Sequence, residues 1–330
     1  MKRIAFGTVL AALLAAPAAA QVKPAITFDV GGKFDKSFNE AAYNGAEAFK
    51  KKTGIAYRDF EIQNDAQREQ ALTRFARDGH NPIIAIGFSH GNALKKVAAE
   101  FPNTRFAIID SVIDMPNVQS IVFKEHEGSY LVGLLAAKAS KSGKVGFVGG
   151  MDIPLIRRFA CGYVQGVKAG RADAEVFQNM TGTTGAAFND PLKGAELAKA
   201  QIGRGADVVY HAAGNTGAGV LRAAADAGVL GIGVDSNQNG MHPGKVLTSM
   251  LKRVDIAVEK ILTEAHAGQW KPGLTVLGLA EGGVDWAQDD NNKVLITAEM
   301  RAAVDKAAAE IRSGAVKVHD YMADQKCPVQ

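Results

Sequence analysis

Residues 29–39 have the sequence Asp-Val-Gly-Gly-Lys-Phe-Asp-Lys-Ser-Phe-Asn and join the apolar run at residues 25–30 to a helix-like pattern over residues 37–52. A strand that passes through a glycine turn into a helix is the repeating unit of parallel α/β folds. The stretch also places a carboxylate, an aromatic ring and an amide at a strand end, which suits a polar, flat, uncharged ligand. The stretch therefore predicts an α/β receptor.

Short β-branched runs alternate with helical patterns along most of the chain. A first group predicts strands at residues 25–30, 56–62, 82–87, 105–110 and 118–123, with helices over 37–52, 66–78 and 92–101. A second group predicts strands at residues 145–150, 174–181, 207–212, 231–235 and 246–250, with helices over 154–169, 191–203 and 217–227. Two doubly wound parallel units of this kind predict two lobes with a cleft between them.

The length of the chain also favours two lobes, because the mature chain of about 310 residues exceeds the about 250–300 residues at which single cores stop growing. After residue 250 the pattern predicts a helix over 254–267, a strand over 275–280 and a helix over 298–313. This remainder indicates that the chain recrosses between the lobes. We expect an N-terminal lobe of residues 21–125 with part of 252–285, and a C-terminal lobe of residues 126–251 with part of 286–330.

The first 20 residues have the composition of a secretory signal peptide. Lys2 and Arg3 open the segment, residues 4–16 are apolar, and Ala20 ends a small-residue cleavage site. The apolar run is shorter than the about 20 residues that a spanning helix needs. No cysteine lies near the predicted cleavage point. We therefore expect a protein that is exported to the periplasm and is not lipid-anchored.

Composition separates this chain from several classes of protein. Apolar residues make up 47% and charged residues 22% of the sequence, which is typical of a globular protein. The formal net charge of +4 is small for this length, and no run of lysine and arginine forms a stripe that could follow phosphates. We therefore expect no nucleic acid among its partners.

The two cysteines, Cys161 and Cys327, lack the spacing of metal ligands. In an oxidising compartment they could form one disulfide that ties the C-terminal tail to the body of the protein. They could equally remain two separate thiols, one buried and one on a loose end. Bridging needs Cα atoms within about 4.4–6.8 Å, a distance that the sequence leaves open.

Three aspartates close apolar runs, and ligands of open α/β sheets bind beyond the carboxyl ends of the strands. Asp29, Asp110 and Asp235 would then present three carboxylates to the hydroxyl and N–H groups of a ligand. For any single one, capping of a turn or helix is an equally good interpretation. Three at equivalent positions favour ligand binding. A calcium or magnesium cage lacks the D-x-D-x-D-G loop that gathers its oxygens.

Two phenylalanines stand next to predicted helix starts in polar surroundings, Phe38 in one lobe and Phe188 in the other. Facing a cleft from both sides, they could sandwich a planar ring, and each could instead pack on its own helix. The glycine-rich run at residues 214–219 offers backbone N–H groups without the lysine of a P-loop, which favours sugar hydroxyls over phosphate.

The signals for catalysis are weak. Ser89 and His90 are neighbours in sequence, which does not make a nucleophile and base pair, and no G-x-S-x-G elbow is present. The other histidines lack the spacing of zinc ligands. We therefore expect a protein that is not an enzyme and that uses no cofactor and no metal.

Several motifs resemble the basic membrane protein (Bmp) family of ABC-transporter substrate-binding proteins, whose best understood members are purine nucleoside receptors. The resemblance extends from about residue 25 to about residue 285. Its motifs lie at residues 35–39 with Gly45, 106–110, 117–118, 123–133, 146–151, 158–159, 233–235 and 248–252.

The resemblance implies the type I periplasmic binding protein fold, with two doubly wound parallel-sheet lobes joined by multiple hinge crossings. It implies that the aromatic pair stacks on a base and that Asp29 and Asp110 meet the polar edge of this base. It also implies that Gly214, Asp235 and Lys252 hold the ribose. Lys252 could also pair with Asp235, or be a plain surface lysine. The predicted ligand-binding residues are Asp29, Phe38, Asn39, Phe88, Ser89, Asp110, Phe188, Gly214, Asn215, Asp235 and Lys252.

These observations together predict a periplasmic substrate-binding protein of an ABC importer that binds a nucleoside, with a purine as the expected base. The expected partners are the nucleoside and an ABC permease in the inner membrane, with the protein itself a monomer. Two alternatives stay open: a ligand-sensing receptor for a membrane signalling protein, and a nucleoside-cleaving enzyme, which would need a metal or an acid–base pair.

Overall fold

The computed structural model describes residues 22–329, so the predicted signal peptide lies outside the described residues. In chain order the elements are β1 (Ala25–Phe28), α1 (Phe38–Thr53), β2 (Arg58–Glu61), α2 (Ala66–Arg77), β3 (Ile83–Ala85), α3 (Gly91–Glu100), β4 (Phe106–Ile109), β5 (Val118–Phe123), α4 (Glu125–Ala139), β6 (Lys144–Met151), α5 (Pro154–Gly170), β7 (Glu175–Gly182), α6 (Pro191–Gly203), β8 (Val208–Ala212), α7 (Thr216–Asp226), β9 (Leu230–Asp235), β10 (Val246–Lys252), α8 (Val254–His266), β11 (Gly273–Leu277), β12 (Val284–Trp286), α9 (Ala298–Arg312) and α10 (Tyr321–Asp324). Within this range no helix has the length and apolar character needed to cross a bilayer.

Residues 22–329 form two six-stranded sheets. The first has the strand order β11-β5-β4-β3-β1-β2 with parallel pairing throughout, and we term the part around it the N-lobe. The second has the order β12-β10-β9-β8-β6-β7 and forms the C-lobe; its edge strand β12 runs antiparallel to β10. The predicted architecture of two doubly wound α/β lobes is confirmed.

The chain passes between the lobes near residues 123–125, 252–254 and 277–284. These crossings are bonded to one another, since Lys124 N donates to Leu277 O at 2.9 Å and Arg253 N donates to Gly283 O at 2.8 Å. The multiple hinge crossings therefore form one bundle of neighbouring segments. The lobe boundaries given above stay a prediction.

Helix α4 is absent from the elements predicted by the sequence pattern. It packs along α5 so closely that a Cβ atom on Gly133 would lie 2.2 Å from the carbonyl oxygen of Tyr163. Most of its residues are buried, including Leu131, Val132 and Leu135. A helix that is buried on nearly all sides lacks the 3.6-residue alternation by which amphipathic helices are found.

The C-terminal tail is fastened to α5. Cys161 and Cys327 form a disulfide with their Cα atoms 5.5 Å apart, so the structure takes the bridged alternative. Gln165 Nε2 donates to His319 O at 3.0 Å, and His319 N donates back to Gln165 Oε1 at 2.8 Å. Disulfide and hydrogen bonds together hold the tail against the C-lobe.

Candidate ligand-binding cleft

A cavity lies where the carboxyl ends of the two sheets face each other. Its volume is about 650 Å³, counting all of the empty space between its walls and its opening to solvent. It lies at the points where strand order reverses, between β1 and β3 and between β6 and β8, the usual ligand position in open α/β sheets. Ten of the eleven predicted residues line it, namely Asp29, Phe38, Asn39, Phe88, Ser89, Asp110, Phe188, Gly214, Asp235 and Lys252.

Asn215 is the predicted residue that does not line this cavity. It stands at the start of α7, and its Nδ2 donates to Asn189 Oδ1 at 2.7 Å. The amide thereby joins the turn before α7 to the segment before α6. Its position next to Gly214 in sequence gave no information on the direction of its side chain.

Lys252 is the central cation of the cleft. Its side chain is 2% exposed, and its Nζ lies 2.6 Å from Asp110 Oδ2 and 2.9 Å from Glu125 Oε1. The surface-lysine interpretation and the direct pairing with Asp235 are therefore both wrong. Burial by itself would lower the pKa of Lys252, but the surrounding carboxylates outweigh it and raise this pKa. Lys252 thus stays protonated in the cleft.

Glu125, at the start of α4, is a buried partner of Lys252 that is not among the predicted ligand-binding residues. Burial by itself would raise its pKa, yet Lys252 and Arg158 together lower it. Arg158 Nη1 lies 2.9 Å from Glu125 Oε2 and donates to Phe123 O at 2.6 Å. Glu125 lies within the motif at residues 123–133, so the resemblance marked the segment although no predicted element contained it.

Two of the carboxyl groups titrate near neutral pH. Burial raises the pKa of Asp110 to about 6, although Lys252 opposes the shift. Burial raises the pKa of Asp235 to about 7, against the opposing effects of Lys252 and of the hydrogen bond from Ser37. The net charge of the cleft therefore changes between about pH 6 and pH 7.

Asp110 and Asp235 also share an uncommon backbone conformation. Their φ angles are 69° and 63°, in the left-handed region that residues other than glycine seldom adopt. Each closes a strand, β4 in one lobe and β9 in the other. Such strained residues cluster at functional sites, where the surrounding structure holds them in place.

Asp29 is held by a second buried cation. Arg68, whose side chain is 3% exposed, lies with its Nη1 2.6 Å from Asp29 Oδ1, and Val30 N donates to the same oxygen at 2.7 Å. The other oxygen faces Gly87, where a Cβ atom would lie 2.5 Å from it. Asp29 is therefore an oriented, charge-paired acceptor. Arg68 is not among the residues predicted from the sequence.

Both the oxygen and the nitrogen of the Asn39 side-chain amide form hydrogen bonds within the protein. Its Oδ1 accepts from Asp29 N at 2.9 Å, and its Nδ2 donates to Asp35 Oδ2 at 3.2 Å. Asp35 is buried and also accepts from Ser37 N at 2.8 Å and Glu40 N at 3.1 Å. Burial raises the pKa of Asp35, against these hydrogen bonds. Asn39 and Asp35 together shape the turn that carries Phe38.

Aromatic rings face the cavity from both lobes. Phe38 belongs to the N-lobe and lies with its ring centroid 5.1 Å from Lys252 Nζ. Phe188 belongs to the C-lobe and meets the ring of Phe88 edge to face, with centroids 6.4 Å apart. Leu155, Ile156 and Phe159 of α5 line the same cavity and were missed. They belong to a helix whose pattern indicated only core packing.

Comparisons with known proteins show the family of this chain. The Bmp family, described as ABC transporter substrate-binding protein PnrA-like, matches residues 23–319. The chain belongs to this family. The nucleoside-binding protein BmpA of an ABC transporter of Lactococcus lactis is 35% identical over 90% of this chain and 89% of its own length.

A solved ABC transporter solute-binding protein from Aeropyrum pernix supports the same conclusion. It superimposes with a TM-score of 0.83 at 30% identity, covering 90% of this chain and 93% of its own. The predicted type I periplasmic binding protein fold is confirmed. This Bmp protein is therefore an ABC transporter substrate-binding protein and not an enzyme, as predicted.

The prediction that the protein is not lipid-anchored is wrong. Relatives from Pyrococcus furiosus, Pyrococcus abyssi and Pyrococcus horikoshii, 34–35% identical over 81–83% of this chain, bear the name uncharacterized lipoprotein. The prediction depended on the lack of a cysteine near residue 20. The residues before the folded lobes were therefore an insufficient basis for that prediction.

Within residues 22–329 no group of three or more histidine, cysteine, aspartate or glutamate side chains is arranged to hold a metal ion. The carboxylates of the cleft are instead matched with Lys252 and Arg68. Their arrangement is chemically suited to accept hydrogen bonds from a polar organic ligand.

Proposed function

We propose that this Bmp protein binds a nucleoside with a purine base in the cleft and delivers it to an ABC permease. The observation that carries the proposal is the placement of Phe38 and Phe188 on opposite lobes around Asp110, Asp235 and Lys252. A flat ring joined to a sugar needs apolar faces and polar edges together, which this lining provides. The name of the Lactococcus relative, a nucleoside-binding protein, supports the same ligand class.

The base lies between Phe38 and Phe188, and its edge meets Asp110 and Asp29. Stacking of a ring on an aromatic side chain contributes about 0.5–1.5 kcal/mol beyond buried area. Asp110 Oδ1 is buried and has no hydrogen-bond partner within residues 22–329, so it is suited to accept from a ring N–H or an amino group. An unmet buried acceptor is costly, which makes a ligand donor at this place favourable.

The ribose lies against Asp235, Lys252 and the backbone of Gly214. Asp235 Oδ2 accepts from Ser37 Oγ at 2.5 Å, and the second carboxylate oxygen serves a sugar hydroxyl. Lys252 keeps three protons, so it donates to a sugar oxygen while it remains beside Asp110. Gly214 adopts a φ of 55°, which places the chain close to the ring of Phe188.

The charges of the cleft favour a nucleoside over a nucleotide. Asp110, Glu125 and Asp235 surround Lys252, and Asp29 is neutralised by Arg68. A phosphate placed among these carboxylates would be repelled.

Calorimetry on protein freed of bound ligand tests the proposal. The protein is unfolded in guanidinium under non-reducing conditions, dialysed and refolded, and then titrated with guanosine, inosine, adenosine, guanine and guanosine monophosphate. We expect at least one nucleoside to bind with submillimolar affinity or better, and more tightly than the base or the nucleotide. Asp110→Asn is the matched variant, and it should weaken guanosine binding while Asp290→Asn, which is fully on the surface, should not. Tighter binding of the monophosphate than of guanosine would contradict the proposal.

A further inference from the structure

The two lobes are joined beside the cleft by hydrogen bonds that use none of the ligand-facing atoms. Gln238 Nε2 of the C-lobe donates to Lys36 O of the N-lobe at 3.0 Å. Ser236 Oγ, also in the C-lobe, donates to Ser37 O at 2.8 Å. The lining of the cavity over the described residues includes neither Lys36 nor Ser37, and neither Ser236 nor Gln238.

The N-lobe side of this contact is rigid. Lys36 has a φ of 62°, a left-handed conformation that is uncommon for lysine. The buried carboxylate of Asp35 accepts from the backbone of Ser37 and Glu40 and fixes the turn on both sides of this conformation. The strain therefore serves to present two consecutive carbonyl oxygens, those of Lys36 and Ser37, to the other lobe.

The C-lobe side is equally fixed. Gln238 is 2% exposed, and its Oε1 accepts from Val234 N at 2.9 Å and lies 2.9 Å from His211 Nε2. The backbone of Gln238 is also held in place, because Gln238 N donates to Ser249 Oγ at 2.9 Å. The amide is thus anchored in its own lobe by one end and has its Nε2 left to reach across.

We propose that Gln238 and Ser236 are positioning residues that stabilise the closed arrangement of the lobes through the backbone of Lys36 and Ser37. This latch goes beyond the proposed function, because it sets the balance of open and closed forms whatever occupies the cleft. It also orders the site, since the same turn sends Ser37 Oγ to Asp235. A ligand enters and leaves through the open form. A weaker latch raises the population of that form, so the ligand dissociates faster.

Gln238→Glu is the sharpest test because it keeps the anchoring oxygen and replaces the donor that faces Lys36 O with an acceptor. At pH 8 the glutamate and the carbonyl repel each other. Ser236→Ala removes the second donor from a half-buried position, and it tests the latch if Gln238→Glu fails to fold. Asn237→Ala is the matched control, because the exposed Asn237 bonds to Asp289 within the C-lobe.

Small-angle scattering of ligand-free protein is the first measurement. We expect Asn237→Ala to have the radius of gyration of the wild type, and Gln238→Glu and Ser236→Ala to have a larger one. Identical profiles for wild type and both latch variants, with native circular dichroism, would overturn the latch. This measurement needs no ligand, so it decides the latch even if the proposed function fails.

Stopped-flow displacement of guanosine is the second measurement. Loss of a neutral hydrogen bond should speed dissociation by roughly two- to tenfold in Ser236→Ala, and by more in Gln238→Glu, where an acceptor is left facing a carbonyl. Unchanged dissociation with a lowered melting temperature would mean that these side chains only stabilise the C-lobe, and the latch would be rejected. If guanosine bound neither the wild type nor any variant, the result would count against the proposed function. The scattering measurement would still decide the latch.

Discussion

Lys252 Nζ and Asp110 Oδ2 lie 2.6 Å apart, although 142 residues separate them and they close strands of different lobes. Lys252 ends β10 directly before the chain crosses into the N-lobe, so the ion pair lies next to a hinge crossing and in the lining of the cleft. A pair that is 2% and 6% exposed is weakly screened by solvent. The same cation therefore organises both the ligand site and the joint between the lobes.

Lys252→Met should destabilise the ligand-free protein strongly. The variant leaves Asp110 and Glu125 buried without their main cation, and removal of one partner from a buried pair costs about 3–5 kcal/mol. Denaturant unfolding followed by circular dichroism measures the loss. Lys306→Met removes a lysine that is 76% exposed and should change the free energy of unfolding little. Equal changes in the free energy of unfolding for the two substitutions would show that Lys252 is not the main cation that stabilises the buried carboxylates.

Asp235→Ala should weaken nucleoside binding at least tenfold and leave free base almost unaffected. A charged acceptor of a sugar hydroxyl contributes about 1.5–3 kcal/mol, and the free base has no sugar to use it. Calorimetric titration with guanosine and with guanine makes the comparison in one protein. A matched loss for both ligands would mean that Asp235 shapes the lobe and does not hold the ribose.

The affinity for nucleoside should rise with pH and level off above about pH 7. In the ligand-free protein burial raises the pKa of Asp235 to about 7, so the carboxyl group is mostly protonated below that value. Sugar hydroxyls donate to the ionised form, which lowers this pKa in the complex, so binding releases a proton below pH 7. Titrations from pH 5.5 to 8.5 measure the slope. Asp235→Asn should flatten it, and an unchanged slope in that variant would assign the titration to another group.

Phe188→Ala should weaken purine nucleoside binding by roughly 1–3 kcal/mol through lost stacking and buried area. The ring is half-buried at the cleft, so the melting curve should stay close to that of the wild type. Phe34→Ala, at a side chain that is 60% exposed, is the control and should leave the affinity unchanged. Normal affinity for Phe188→Ala together with a normal melting curve would reassign Phe188 to packing on its own segment.

The sequence by itself predicted the layout of this protein, because that layout depends on local periodicity. The strand at β5 and the helix at α6 begin and end at the predicted residues, and most other elements differ by one or two. Burial of one face dictates these patterns residue by residue. Strand β11 lies at Gly273–Leu277 and not at residues 275–280, because an edge strand exposed along much of its length carries a weak pattern. The ends of the strands then indicated which residues meet in the cleft.

Only the tertiary structure decided which buried charges pair. Lys252 pairs with Asp110 and Glu125 and not with Asp235, the partner considered from the sequence, while Arg68 pairs with Asp29 across 39 residues. Ion pairs of this kind carry no periodic signal, and their partners are set by which side chains come within about 4 Å once water is excluded. The lobe-closing bonds of Gln238 and Ser236 follow the same rule, because a backbone carbonyl is present at every residue and only the fold selects the one that is reached.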